Sequence, residues 1–202
     1  MLSAFLHGYL LAFGLILPLG PQNAFVLSQG ASRSHRMRAL AVVIAAALSD
    51  TLLIVLAVLG VSMIVLTLPW IKTALIVFGV LFLAYVGWLT WRSDGIEKNG
   101  TDDRNGWSLR RQVAFTLAIS LFNPHAILDT IGVIGTSALA YQGNARLAFT
   151  AACILNSWLW FLMLSLLGRW VGNIESVRRW LNRASAVVMW GSAAYLLFGL
   201  AH

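Results

Sequence analysis

The chain has 202 residues, of which 59% are hydrophobic and 10% charged, and its mean hydropathy is +0.81. Soluble domains carry charge at about a quarter of their positions, so this composition excludes a soluble domain and places the chain in a lipid bilayer. The net charge of +7 does not indicate a nucleic-acid partner, because the Lys and Arg residues lie in short segments between apolar runs, the distribution that sets membrane topology.

Apolar stretches of about 20 residues, the length needed to cross the hydrocarbon core, fall at residues 2–27, 39–66, 70–91, 112–140, 147–168 and 184–201. The expected fold is an all-α integral membrane protein with six transmembrane helices. The first stretch has no basic residue ahead of it, unlike a secretory signal peptide, and reads as a retained helix. It is interrupted by Leu17-Pro18-Leu19-Gly20-Pro21, followed by Gln22 and Asn23. The second stretch contains Ser49 and Asp50. Residues 92–111, after the third, are the one long polar segment, rich in Gly, Asn and Asp. They read as a linker dividing a single membrane domain into two halves of three spans, 1–91 and 112–202. The fourth stretch contains Asn123, Pro124, His125 and Asp129. The fifth contains Asn156 and the lone Cys153, which offers neither a disulfide nor a Cys-based metal site. No cofactor and no metal is expected. Small residues at Gly132, Gly135, Gly191, Ser192, Ala193 and Ala194 allow close helix packing, within one protomer or in a homo-oligomer.

Twelve of the 14 Lys and Arg residues lie in the connections after spans one, three and five, leaving only Lys72 and Arg146 in the other two connections. The positive-inside rule then puts the first, third and fifth connections in the cytoplasm and both termini on the periplasmic or extracellular side. Three is odd, so the second half crosses the membrane opposite to the first, and similarity between the halves means an inverted-topology repeat. Short similarities exist. Residues 17–25 match 120–128, each with a Pro preceded by Gly or Asn and followed by polar side chains, and Leu48-Ser49-Asp50-Thr51-Leu52 matches Leu155-Asn156-Ser157-Trp158-Leu159.

Mid-span proline removes a backbone hydrogen bond and bends or breaks a helix. Backbone freed in this way is tolerated at membrane depth only where it is buried in protein or lines a cavity, and paired breaks in corresponding spans point to a transporter's site. A simple kink is the bland alternative for any one proline. Three of them, Pro18, Pro21 and Pro124, with Gln22, Asn23, Asn123 and His125 beside them, favour a site with helices one and four broken. Of the seven acidic residues, Asp50 and Asp129 alone lie within spans. Each costs roughly 2.5–3.5 kcal/mol at a helix centre and needs a partner or a wet cavity. No Lys or Arg lies deep in a span to supply one, and His125 is the one internal basic candidate. A carboxylate capping a hydroxyl or a free backbone amide is the structural alternative. Counted from the cytoplasmic charges at about 1.5 Å per residue, Pro21, Asp50, Pro124 and Asn156 all fall roughly 18–20 Å deep, near the midplane. Asp129 falls at about 27 Å along an unbroken helix.

An anionic midplane cavity suits a cationic guest, and half-helix N-termini at the breaks suit a carboxylate. An amino acid has both groups, and a basic one engages both aspartates. The residues alone leave sodium, protons or a polyamine open as guests.

Residues 17–26, Ser49-Asp50, and the run from Asn123 through Thr130 together resemble the lysine exporter family, especially its lysine and arginine exporter branch. The resemblance covers the whole chain in length, span count, central linker and motif order. It implies six spans and export of basic amino acids, arginine or lysine, from the cytoplasm across a bacterial inner membrane. The residues that match are Pro21, Gln22, Asn23, Asp50, Asn123, Pro124, His125 and Asp129; Asn156 is a candidate on depth alone. An exporter of another small amino acid or cation is the alternative. An intramembrane aspartyl protease, a passive channel and a structural subunit are weaker ones, and no enzymatic motif is present. The charge split predicts that reporter fusions at Gly100 are active only when the reporter functions in the cytoplasm. A periplasm-active reporter working there would overturn the topology.

Overall fold

The computed structural model describes residues 1–17, 20–31, 36–60, 69–92 and 108–171, and beyond these 180, 183, 184, 186–191, 193, 194, 197 and 198. Among the described residues the secondary structure is entirely helical. Helices α1 (Leu2–Ile16) and α2 (Pro21–Ala31) make up the first apolar stretch, α3 (Arg36–Val58) the second and α4 (Pro69–Arg92) the third. The fourth stretch divides into α5 (Leu109–Leu121), α6 (Pro124–Asp129), a π-helical segment (Thr130–Gly135) and the short α7 (Thr136–Ala138). Helix α8 (Gly143–Val171) is the fifth. Of the sixth, short helical pieces are described, including residues 186–191.

Length and composition explain this division. The 23 residues of α3 and the 29 of α8 extend about 35 and 43 Å, enough to cross a hydrocarbon core of about 30 Å. Both are long and apolar enough to span a membrane, and α1 with α2, bent by 80° at their break, meet the same length and composition as a pair. Three of the four prolines open a helix, at Pro21, Pro69 and Pro124. At that first position the missing N–H is one the helix does not use. The prolines of the first and fourth spans therefore restart helices rather than kink them. Pro18 lies outside the described residues. Gly60, at φ 91°, turns the chain immediately after α3, whereas the apolar run continues to residue 66; residues 61–68 lie outside the described set. The basic residues expected in connections lie partly on helix ends instead: Arg36 and Arg38 open α3, Arg110 and Arg111 open α5, and Arg169 is in the last turn of α8. A helix N-terminus disfavours cations, so their position follows the membrane interface rather than the helix dipole.

Helix α8 is the central post. It packs against α1, α2 and α3, while α3 also packs against α5 and the π-helical segment. The contacts are close because small residues stand at the crossings. A Cβ on Gly30 would lie 2.3 Å from the Ser165 carbonyl oxygen, and one on Gly168 would lie 2.2 Å from that of Leu27. On the other half of α8, the Cys153 thiol donates to the Gly8 carbonyl at 3.4 Å. Helix α4 stands to one side against the last apolar stretch. Ile76, Val80 and Leu83 bury Ala193, the Trp190 indole donates to the Ala84 carbonyl at 3.3 Å, and Arg183 lies over the Trp91 ring. Ala193 thus serves packing within one protomer.

The exterior is apolar, with Leu52, Leu56, Leu81, Leu159, Leu162 and Leu166 all exposed, while Gln22, Asn23, Ser49, Gln112, Ser120, Asn123, Asn156 and Ser157 are buried. This inversion of the soluble pattern is what a lipid solvent selects.

Because backbone blocks a side chain at Gly168, Gly168→Val should separate α2 from α8. Overpacking of this kind costs about 1–3 kcal/mol, so the variant should show a lower melting temperature in detergent. Gly14→Ala, with no atom within 4 Å of the added carbon, should melt like the parent. Equal melting of the two variants would show that the α2–α8 crossing is not close-packed.

Candidate functional site

The two helix breaks open into one cavity of about 220 Å³. From the first break it is lined by Ile16, Gly20, Pro21, Gln22 and Asn23, and from the second by Asn123, Ala126, Asp129 and Thr130. Helix α3 contributes Asp50 and Ile54, and α8 contributes Ser157. Its volume is below the roughly 300–1,000 Å³ of pockets for drug-sized ligands and suits a guest the size of an amino acid.

The side chains divide by task. Asn23 staples the first break: its Nδ2 donates to the Ile16 carbonyl at 2.7 Å, and its Oδ1 accepts from the Trp160 indole at 3.2 Å. The carbonyl at the end of α1, left without a helical partner, is thereby satisfied, and the break is tied to α8. Gln22 instead faces Asp50, with Nε2 donating to the carboxylate at 3.0 Å. Ser157 of α8 lines the same cavity as that carboxylate. Asp50 is therefore held by a neutral donor from the first break. Asp129 ends α6 where the π-helical segment begins. Wider π-helical turns leave carbonyls poorly bonded and recur at functional sites. Here the Thr136 hydroxyl donates to the Gly132 carbonyl at 2.5 Å and to that of Val133 at 3.2 Å.

The cavity thus gathers Pro21, Gln22, Asn23, Asp50, Asn123 and Asp129 from the sequence candidates. Asn156 is not in its lining. It is buried on α8 at 2% exposure, its Nδ2 has no hydrogen-bond partner, and the next residue, Ser157, faces the cavity. Pro124 and His125 lie in the first turn of α6, and their side chains, like all of Pro18, lie outside the described residues. Sequence reasoning missed Ser157 by one position of helical phase. It also missed Trp160, whose role depends on the fold, and Thr130. Among the described residues no group of His, Cys, Asp and Glu side chains is arranged to hold a metal.

Buried apolar residues lie before and after the cavity along the elements that line it. Along α3, the buried Val42, Val43, Ala46 and Ala47 precede Asp50, and Ile54 and Val58 follow it. Along α8, Phe149 and Cys153 precede Ser157, and Phe161 and Leu164 follow it. Ala12 precedes the first break and Phe25 and Val26 follow it, while Ile119 precedes the second and Ile134 and Ala138 follow it.

The comparisons with known proteins agree with this architecture. The family model described as LysE type translocator matches residues 13–199. YisU of Bacillus subtilis (strain 168), which carries a provisional amino-acid transporter name, is 50% identical over 198 residues, covering 96% of this chain and 89% of that protein. The arginine exporter protein ArgO of Pectobacterium carotovorum subsp. carotovorum (strain PC1) is 37% identical over 202 residues, covering 97% of each chain. ArgO of Serratia proteamaculans (strain 568) is 34% identical over 201 residues, again covering 97% of each. No solved structure matches the chain. A family model covering nearly the whole chain, full-length relatives and apolar helices together make this a multi-pass bacterial membrane transporter and not an enzyme: the chain belongs to the LysE-type translocator family.

Proposed function

We propose that this protein exports basic amino acids, arginine or lysine, across the bacterial inner membrane, with the cavity at the helix breaks as the substrate site. The observation that carries the proposal is the convergence of Asp50 and Asp129 on that cavity, with no Lys or Arg among its described lining residues. The carboxylates suit the substrate's cationic groups, and the start of α2, which enters the cavity at Gly20–Asn23, suits its carboxylate. The two relatives named as arginine exporters support this choice of substrate.

The proposed architecture has six spans in two inverted repeats, 1–91 and 112–202, joined by a cytoplasmic linker at 92–111, with both termini outside. The contact pattern supports it. Span one with five and span four with two are equivalent pairs under exchange of the halves, and two with five and three with six are each their own equivalent; all four pairs are in contact. Helices restarting at Pro21 and Pro124 occupy corresponding places.

The decisive measurement is efflux of labelled arginine or lysine by Asp50→Asn and Asp129→Asn at matched membrane abundance. Asn keeps the volume and can still accept the Gln22 hydrogen bond but removes the charge. Hydrogen bonds to charged groups contribute about 1.5–3 kcal/mol, so efflux should fall roughly 10- to 150-fold in each variant while insertion is normal. Near-normal efflux by both would overturn the carboxylate site. Selective efflux of a neutral amino acid by the parent chain would move the substrate assignment to that class.

Export is also proposed to be coupled to proton entry, as antiport. Moving one positive charge outward against an inside-negative potential costs about 2.3 kcal/mol per 100 mV, so an uncoupled carrier would accumulate a basic amino acid. Asp50, Asp129 and His125 are the groups that could carry the proton. Collapse of the proton gradient should abolish efflux against a concentration gradient; uphill efflux that survives would remove protons from the mechanism.

A further inference from the structure

One buried face of α5 has the wrong chemistry for its surroundings. Gln112, Thr116 and Ser120 recur every four residues on it and are 1%, 1% and 0% exposed. Helix α5 packs against α3, and its Ile119, adjacent to this face, joins Val42, Val43, Ala46 and Ala47 of α3 in one buried apolar cluster. Aliphatic side chains offer these polar groups nothing. Among the described residues Gln112 Oε1 and Ser120 Oγ accordingly have no hydrogen-bond partner, and the Thr116 hydroxyl turns back to donate to the Gln112 carbonyl at 2.8 Å. Buried polar atoms are rarely left unpaired, and those that are call for an unseen partner such as water or a ligand.

The direction of this face gives it a use. Each step of four residues rises about 6 Å, a gap that a chain of two waters can bridge. The face starts beside the exposed Arg110 and Arg111, which mark that end of α5 as the membrane surface. It ends one turn before Asn123, which lines the cavity. With the Thr116 proton committed to the backbone, Gln112 Oε1, the Thr116 lone pairs and Ser120 Oγ offer oxygen acceptors in a row. Such a row suits water and donor-rich cations.

We propose that the Gln112–Thr116–Ser120 face of α5 is a hydrated path between the cytoplasmic surface and the Asp50–Asp129 cavity, along which the guanidinium or ammonium group of the substrate passes. The path rests on the export reading for its occupant. Its hydration does not depend on that reading.

Cysteine reactivity tests both. A thiol reacts through its thiolate, which forms in water and not in an apolar core, and Ser→Cys and Thr→Cys change little in shape. Gln112→Cys, Thr116→Cys and Ser120→Cys would be treated with a positively charged, membrane-impermeant thiol reagent in inside-out vesicles. Leu117→Cys, on the exposed face of α5, serves as the lipid-facing control. The parent chain, whose single cysteine is the fully buried Cys153, gives the baseline. All three path positions should label at least about tenfold faster than the control, and saturating arginine or lysine should slow labelling. Labelling of Thr116→Cys and Ser120→Cys no faster than the control would overturn the path. Fast labelling unaffected by either amino acid would overturn the occupant. Arginine efflux by the parent chain, measured in parallel, separates these failures from failure of the export reading itself.

Discussion

A peptide group that leaves its helix inside a bilayer has no water to bond to, and this constraint organises the molecule. The first span stops at Ile16 and restarts at Pro21. Its interruption is stable because Asn23 reaches back to the Ile16 carbonyl while accepting from Trp160. A buried polar group left without its partner costs about 1–3 kcal/mol, so this bond and the α8 packing that supports it hold the break open. Once the break exists, it must face inward. The same requirement brings the second break, at Asn123, to the same interior space. The cavity is where two interrupted helices can satisfy their own backbone.

The apolar layers on either side follow from the same solvent logic. Polar side chains on α3, α8 and both broken spans meet at one level, and buried aliphatic and aromatic residues occupy the levels before and after it except where the Gln112–Thr116–Ser120 face of α5 interrupts them. Water enters such a cavity only along polar surface. The Asp50 carboxylate is met by the neutral donor Gln22 at 3.0 Å. Under the proposed function that donor holds its orientation and leaves its charge to the substrate.

Much of this was legible in the sequence because lipid imposes simple rules. Counting residues from the charges read as cytoplasmic placed Pro21, Asp50, Pro124 and Asn156 at a common depth, and the cavity does gather Pro21, Asp50, Asn123 and Asp129. Asp129 looked too deep by that count, which assumed an unbroken helix. The interruption at Phe122-Asn123, the exception that reading allowed for, shortens the path and brings Asp129 to the cavity. Depth carries no rotational information, so Asn156 was chosen where Ser157 faces inward. Asn23 was read as a ligand for substrate, but its side chain is spent on the backbone of α1, a division of labour from Gln22 that neighbouring residue types cannot reveal. The polar spacing of Gln112, Thr116 and Ser120 was present in the sequence, yet only packing distinguishes a buried polar face from one that lies at the surface.

The crossings on α8 restrict how such a transporter can move. Helix α1 is held against one half of α8 at Gly8 and Cys153, and α2 against the other half through Gly30 and Gly168, where backbone meets backbone. Between these points Asn23 and Trp160 tie the break itself to α8. Close-packed interfaces of this kind switch between discrete arrangements rather than deform continuously. The first and fifth spans therefore behave as one body, although in the inverted-repeat reading they belong to different halves. The equivalent body is the second span with the fourth, joined through the α3 contacts to α5 and the π-helical segment. Under the proposed inverted-repeat architecture, alternating access is motion of the one-and-five body against the two-and-four body. The cavity, with Gln22 from one body bonded to Asp50 from the other, sits on the seam between them. Under the proposed function a substrate that engages Asp50 competes for that bond, so the event that loosens the seam falls at the proposed binding site itself.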